Sequence, residues 1–189
     1  MIAILDYGSG NLRSAQRAFE LTGHEVRITS DPTIALSADG LVVPGVVAFA
    51  ACMQQLEEID GSQIIRNRVQ SQKPILGICV GMQILFGSGS EKGSHAGVGI
   101  LEGEVSELHA PVRPHIGWNT VKAPQGSKLF AGISDESFYF VHSYAAVKTN
   151  HDALIQRLST GKILLLQLNT DISARHNFTL RRVGEQAVA

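Results

Sequence analysis

The sequence predicts an α/β fold: an open, mostly parallel and twisted sheet flanked by helices, with an antiparallel extension. Two observations carry the prediction. Through the first half of the chain, short apolar runs ending in turn residues alternate with stretches of helical spacing, the order that gives right-handed crossovers between parallel strands. In the second half, short β-like segments are separated by Pro- and Gly-bearing turns, which suggests an antiparallel extension.

Taken in order, IAILDYG (2–8) is an apolar run closing in turn residues, as a buried parallel strand should. NLRSAQRAFELTG follows with Leu12, Ala15, Phe19 and Thr22 near helical spacing, Asn11 as its N-cap and Gly23 as its stop. EVRITS is a second strand, closed by the turn pair Asp31-Pro32, and GLVVPG (40–45) is a third. Residues 48–70 read as helix, and KPILGIC (73–79) as a fourth strand feeding a helix at GMQILF. GEVSEL, NTVKA and FYFVHSYAAV are the β-like segments of the second half. In such sheets ligands sit beyond the carboxyl ends of the strands, where Gly8, Gly45 and Cys79 all fall.

The bulk composition narrows the function classes. A chain of 189 residues with 44% hydrophobic residues fits one compact domain with a real core. Net charge is −1, so nothing points to nucleic acid or an anionic membrane. The start MIAILDYGSG shows no basic leader, and no apolar run approaches a membrane span. Two cysteines, Cys52 and Cys79, argue for a reducing compartment rather than a disulfide framework, so a soluble cytoplasmic domain is expected.

Cys79 lies in GICVG, between a strand and a helix. A G-x-nucleophile-x-G turn there is a nucleophile elbow, in which the glycines permit the tight backbone and the nucleophile projects over the sheet edge. The helix N-terminus should favour the thiolate, and its N–H groups can face an oxyanion. By itself the motif fits a small buried residue in a close-packed turn equally well. Cys52, in FAACMQQL, has no such setting and reads as core.

Six stretches occur together and in order: DYGSGNLRS, LVVPGVVAFAACM, GICVGMQILF, GVGILEGEV, PHIGWN and FYFVHSY. Over roughly residues 1–146 the chain therefore resembles the glutaminase subunits of imidazole glycerol phosphate synthase, class I glutamine amidotransferases with a flavodoxin-like sheet. The resemblance implies that Cys79 attacks the side-chain amide of L-glutamine, forms a glutamyl thioester and releases ammonia. A partner cyclase subunit would receive that ammonia in a heterodimer, sheltered from water that would protonate it. It implies no cofactor and no metal. Gln83 stands where the family holds the substrate glutamine, and Glu91 where a carboxylate binds the substrate ammonium, although a solvated loop charge fits Glu91 equally. Gly45 and Val46 match the segment that completes the oxyanion hole. The family reads PGVG there; Val47 replaces the last glycine, and a β-branched residue resists positive φ. Asn11, Gly117 and Trp118 match motifs placed near the partner interface, with a half-buried aromatic as the other reading of Trp118. His142 and His115 read as structural histidines. Another amidotransferase, such as the pyridoxal phosphate synthase glutaminase, and a catalytically dead binding module are the competing readings.

The resemblance breaks after about residue 150. A cysteine amidotransferase needs a histidine base oriented by a carboxylate, which the family supplies as Gln-Phe-His-Pro-Glu-Lys-Ser; no such stretch occurs here. The division expected is an amidotransferase domain over 1–150 and a divergent, poorly ordered segment over 151–189, lacking the last sheet strands and closing helix. KILLLQL is apolar enough for a strand, and His176 stands in a polar run without a usable carboxylate. The genetic code offers an account. Joining the third base of each codon to the next two bases, His176 onward can spell Gln-Phe-His-Pro-Glu-Lys-Ser-Gly. Upstream, GKILLLQLN permits Glu-Asp-Phe-Ile-Ala-Ala-Val-Glu. The hypothesis is a frameshift near residues 147–161.

Overall fold

A computed structural model describes residues 1–121, 129–133, 135–147 and 163–166. A five-stranded sheet organises it, built from β1 (Ile2–Leu5), β2 (Val26–Thr29), β3 (Gly40–Gly45), β4 (Ile75–Cys79) and β11 (Ile163–Leu166). The order is β11-β4-β3-β1-β2 and every neighbouring pair is parallel. The open, parallel sheet expected from the strand–helix alternation is therefore present.

Alternation along the strands splits the core between the two faces. Ala3, Leu5, Leu41, Val43 and Ile75 belong to one cluster with Ala35, Phe49, Cys52, Leu56, Ile64 and Ile65. These come from α2 (Pro32–Ser37), α3 (Phe49–Glu57) and α4 (Gly61–Gln70). Ile2, Ile4, Val42, Leu76 and Ile78 join Ala15, Ala18 and Phe19 of α1 (Leu12–Glu20) in the other. Asn11 caps α1 as expected, its side chain accepting from the Ser14 N–H at 3.2 Å.

Several expectations need correction. Asp31-Pro32 does not end in a turn: Asp31 accepts from the Thr33 N–H and Pro32 opens α2, where its missing N–H costs nothing. The helix expected over 48–70 is two helices, broken at Asp60, whose φ of 52° lies outside the right-handed helical region. The helix expected at GMQILF is one turn, α5 (Val80–Gln83), after which β5 (Phe86–Gly89) begins.

The second half forms a four-stranded sheet, β10-β7-β5-β6, from β5, β6 (His95–Ala96), β7 (Leu101–Glu107) and β10 (Tyr144–Val147). β10 with β7 and β5 with β6 are antiparallel, whereas β5 and β7 are parallel. An antiparallel hairpin pairs β8 (His115–Thr120) with β9 (Ser137–His142). The strand expected at NTVKA thus lies earlier, over HIGWNT, and FYFVHSYAAV breaks at Ser143 into two strands of different sheets. KILLLQL does contain a strand: β11 runs alongside β4 from Ile163↔Ile75 to Leu166↔Ile78. The expectation that the last sheet strands are lacking fails at this point, since β4 has a neighbour on both sides. The rest of 151–189, including His176, lies outside the described residues.

One buried charge ties the lower end of the sheet together. Arg68 of α4 is fully buried, and its guanidinium donates to the carbonyls of Ala35, Ala38, Asp39 and Pro74 at 2.8–3.3 Å. Those carbonyls belong to the end of α2 and the entrances to β3 and β4, so a single planar fork closes three chain segments. Burial lowers its pKa to about 10, partly offset by the nearby Asp39 carboxylate.

Candidate active site

Cys79 ends β4 and caps α5 with φ 56° and ψ −123°. Positive φ at a residue with a Cβ costs of order 1–3 kcal/mol and persists only where the surroundings impose it. The neighbouring glycines show what imposes it. A Cβ on Gly81 would lie 2.0 Å from the Val43 oxygen, and one on Gly77 would lie 2.6 Å from Met82 Cα. One on Gly45, the register partner of Cys79, would lie 2.5 Å from the Gly81 N. Strand β3 and the elbow therefore touch backbone to backbone, and the thiol is carried over the strand ends.

A cleft of about 330 Å³ opens there, lined by Cys79, Gln83, Glu91, Val46 and Val47 together with His142 and Tyr144. Four of the residues singled out in the sequence, Cys79, Gln83, Glu91 and Val46, thus meet in one place, and Gly45 lies directly behind them. Gln83 is buried and donates from Nε2 to the Tyr144 carbonyl at 3.2 Å. Glu91 accepts the Phe49 N–H at 2.9 Å. Its carboxylate therefore supplies the cap that α3 lacks, since the N-cap residue Ala48 has no side chain to do so. The Glu91 backbone is held in turn by His95, whose Nε2 lies 3.1 Å from the Glu91 oxygen. Glu91→Ala is expected to cost about 1 kcal/mol of folding stability through the lost cap, readable in urea denaturation.

The thiol itself departs from expectation. Burial pushes the Cys79 pKa up, and the Val80 N–H offsets this only in part. A helix of four residues aligns too few peptide dipoles to overcome an apolar setting. Cys79 is thus held as a neutral thiol, and thiolate formation requires a base.

Beneath the cleft, a polar cluster that the sequence reading missed holds the segment Pro44–Val47. Tyr7 donates to the Pro44 carbonyl, and Ser9 Oγ accepts the Val46 N–H at 3.2 Å. Cys52 lies 3.3 Å from Ser9 Oγ and 3.7 Å from the Val47 oxygen. Cys52 is core, as expected, with no exposed surface. Burial pushes both its thiol and the Tyr7 phenol up, so both are neutral donors. Tyr7 and Ser9 sit within the DYGSGN turn, where nothing in the local pattern shows that their hydroxyls face a segment nearly forty residues further on.

Asn11, Gly117 and Trp118 do not line the cleft. Asn11 heads α1, while Gly117 and the 56% exposed Trp118 lie on β8, the indole edge-on to Tyr139 at 5.5 Å. His115 and His142 face each other across the β8–β9 pair, with ring centroids 5.5 Å apart. Only His142 reaches the cleft, a placement that VHSY alone did not reveal. No helix among the described residues is long and apolar enough to cross a membrane.

Comparison with known proteins agrees with this geometry. The sequence matches the glutamine amidotransferase class-I family over residues 3–172. It is 59% identical over 145 residues to the imidazole glycerol phosphate synthase subunit HisH of Corynebacterium diphtheriae, covering 76% of this chain and 69% of that one. To the subunit of the same name from Mycobacterium tuberculosis it is 58% identical over 192 aligned positions, spanning 100% of this chain and 93% of the relative. Among solved structures, a glutamine amidotransferase superposes with a TM-score of 0.67 at 17% identity, over 97% of this chain and 98% of that one. The glutaminase domain of Trypanosoma brucei CTPS with bound acivicin gives a TM-score of 0.63 at 15% identity, over 98% and 91%. These two likenesses establish the fold alone.

Proposed function

The chain belongs to the class-I glutamine amidotransferases, in the branch of the imidazole glycerol phosphate synthase HisH subunits, and from that premise we propose that it is a glutaminase acting through Cys79. The observation that carries the reading is the cleft itself: a strained elbow cysteine, an amide at Gln83 and a carboxylate at Glu91 share one opening at the strand ends. The Cys79 sulfur attacks the side-chain carbonyl of L-glutamine, the C–N bond breaks, and ammonia leaves behind a glutamyl thioester that water then cleaves. Gln83 and Glu91 orient the amino-acid end of the substrate. The partner is a cyclase subunit, joined in a cytoplasmic heterodimer on the side of the domain marked by Asn11, Gly117 and Trp118. An exposed Trp on a strand of the β8–β9 hairpin suits an interface anchor.

Ammonia release from L-glutamine, measured for this chain alone and with a cyclase subunit added, tests the proposal. Release that rises on adding the cyclase supports it; no release under either condition sinks it. Completing an oxyanion hole from Gly45 and Val46 requires the backbone at residues 46–47 to turn and Val46 to leave Ser9. A β-branched Val47 resists positive φ by about 1–2 kcal/mol. Val47→Gly is therefore expected to raise steady-state glutaminase turnover in the complex about tenfold. The missing His-Pro-Glu stretch is accounted for by a frameshift near residues 147–161. Sequencing the gene over codons 147–189 checks this, and an intact frame refutes it.

A further inference from the structure

The turn that carries Glu91 is held more firmly than a surface loop needs to be. It spans residues 90–94, between β5 and β6, and Gly89 and His95 pair in register at its base. Lys92, Gly93 and Ser94 at its tip are exposed, so little packs on the turn from outside. Its backbone is nevertheless bent into an uncommon shape, with φ 55° at Lys92 and φ 133° at Gly93. A residue with a side chain keeps a positive φ only where its surroundings impose it. The His95 ring supplies that constraint. Its Nε2 lies 3.1 Å from the Glu91 carbonyl oxygen, and a Cβ on Gly93 would lie 3.4 Å from the same nitrogen. A carbonyl can only accept, so Nε2 carries a proton and donates it. The turn thus closes over the imidazole, and the backbone of Glu91 is fixed from within.

Two further anchors point the same way. The Ser90 N–H donates to the Val105 carbonyl at 2.9 Å, which ties the entrance of the turn to β7. At the other end of the side chain, Glu91 Oε2 accepts the Phe49 N–H at 2.9 Å. A solvated loop charge would have neither the half-buried setting nor these bonds. A carboxylate has acceptor positions beyond the one Phe49 takes, so Glu91 can hold a cation in the cleft it lines without releasing α3. We propose that His95 is a positioning residue for the α-ammonium group of the substrate: by fixing the turn it aims Glu91 into the cleft, and so sets how strongly the cleft prefers an amide that carries an α-amino group. The proposal rests on the reading of Glu91 as the partner of that ammonium. His95 itself does not line the cleft and acts only through Glu91. A charged pair gains most when its members are held in place before they meet, which is what a tethered turn provides.

NMR titrations in a Cys79→Ala background, where no thioester forms, test the proposal by binding rather than by turnover. The two ligands are L-glutamine and glutaramate, the same amide acid without its α-amino group. With His95 in place, L-glutamine should bind about tenfold more tightly than glutaramate, the size expected of one charge-assisted contact. His95→Ala should weaken L-glutamine about fivefold and leave glutaramate within about twofold. His95→Gln, whose Nε2 can donate from nearly the same place, should restore L-glutamine binding. His95→Leu fills the space of the ring without a donor and should behave as alanine does; it separates the hydrogen bond from packing and stands in if the alanine variant does not fold. Equal weakening of both ligands would mark a merely structural role and overturn the proposal, as would a preference for L-glutamine that survives the loss of His95. If the chain with His95 intact shows no preference for L-glutamine, the reading of Glu91 falls first and the proposal falls with it.

Discussion

Cys79→Ala is expected to abolish glutamine-dependent ammonia release, lowering turnover about 10⁴-fold or more while leaving the fold and the partner surface unchanged. The size follows from the chemistry: without the sulfur there is no thioester, and what remains is only whatever the pocket does to a bound amide and water. The indifference of the fold follows from the geometry. Alanine keeps the Cβ, so the positive φ and the packing of Gly45, Gly77 and Gly81 around it persist, and stability should shift by less than about 1 kcal/mol. Ammonia assays on the complex, with co-elution of the cyclase as a control, decide the matter. Turnover within tenfold of the parent would remove Cys79 from the mechanism.

Arg68→Met is expected to destabilise the domain by about 3–5 kcal/mol, the largest stability loss foreseen for a single side chain. Methionine replaces the apolar stem but none of the donors. Four carbonyls, at Ala35, Ala38, Asp39 and Pro74, would then lose their partner, those of Ala35 and Ala38 in fully buried bonds. Among the described residues no carboxylate is bonded to the guanidinium, so the interaction is with backbone dipoles, and lysine cannot reproduce a fork that spans three segments. Urea denaturation measures the change. A loss below about 1 kcal/mol would mean that water reaches these carbonyls in the variant.

What the sequence disclosed and what it hid have physical causes. The sheet strands were legible because each is a short apolar run ended by a turn, and Asn11 was legible as a cap because it precedes a helical period. Cys79, Gln83 and Glu91 were legible through ordered motifs, and the fold does bring them to one cleft. The one-turn length of α5 was not legible, because MQILF suits a helix as well as the entry to β5. Neither was the raised thiol pKa, which depends on burial rather than on the elbow motif. That His142 lines the cleft was not legible, because no spacing in VHSY shows that Ser143 ends one strand and turns the chain toward another sheet. The cap on α3 comes from Glu91, 42 residues further along the chain from Phe49, a distance that local pattern reading does not span.

The place of β11 beside β4 has a consequence for how the protein is made. The strand that carries the nucleophile pairs with one that follows it by 88 residues, from Ile75 to Ile163. During synthesis β1 to β4 leave the ribosome long before their last neighbour, so the open side of β4 waits as an unpaired, apolar edge. A nascent chain of this protein is therefore exposed to mispairing at the very strand its chemistry depends on, until the ribosome has passed residue 166.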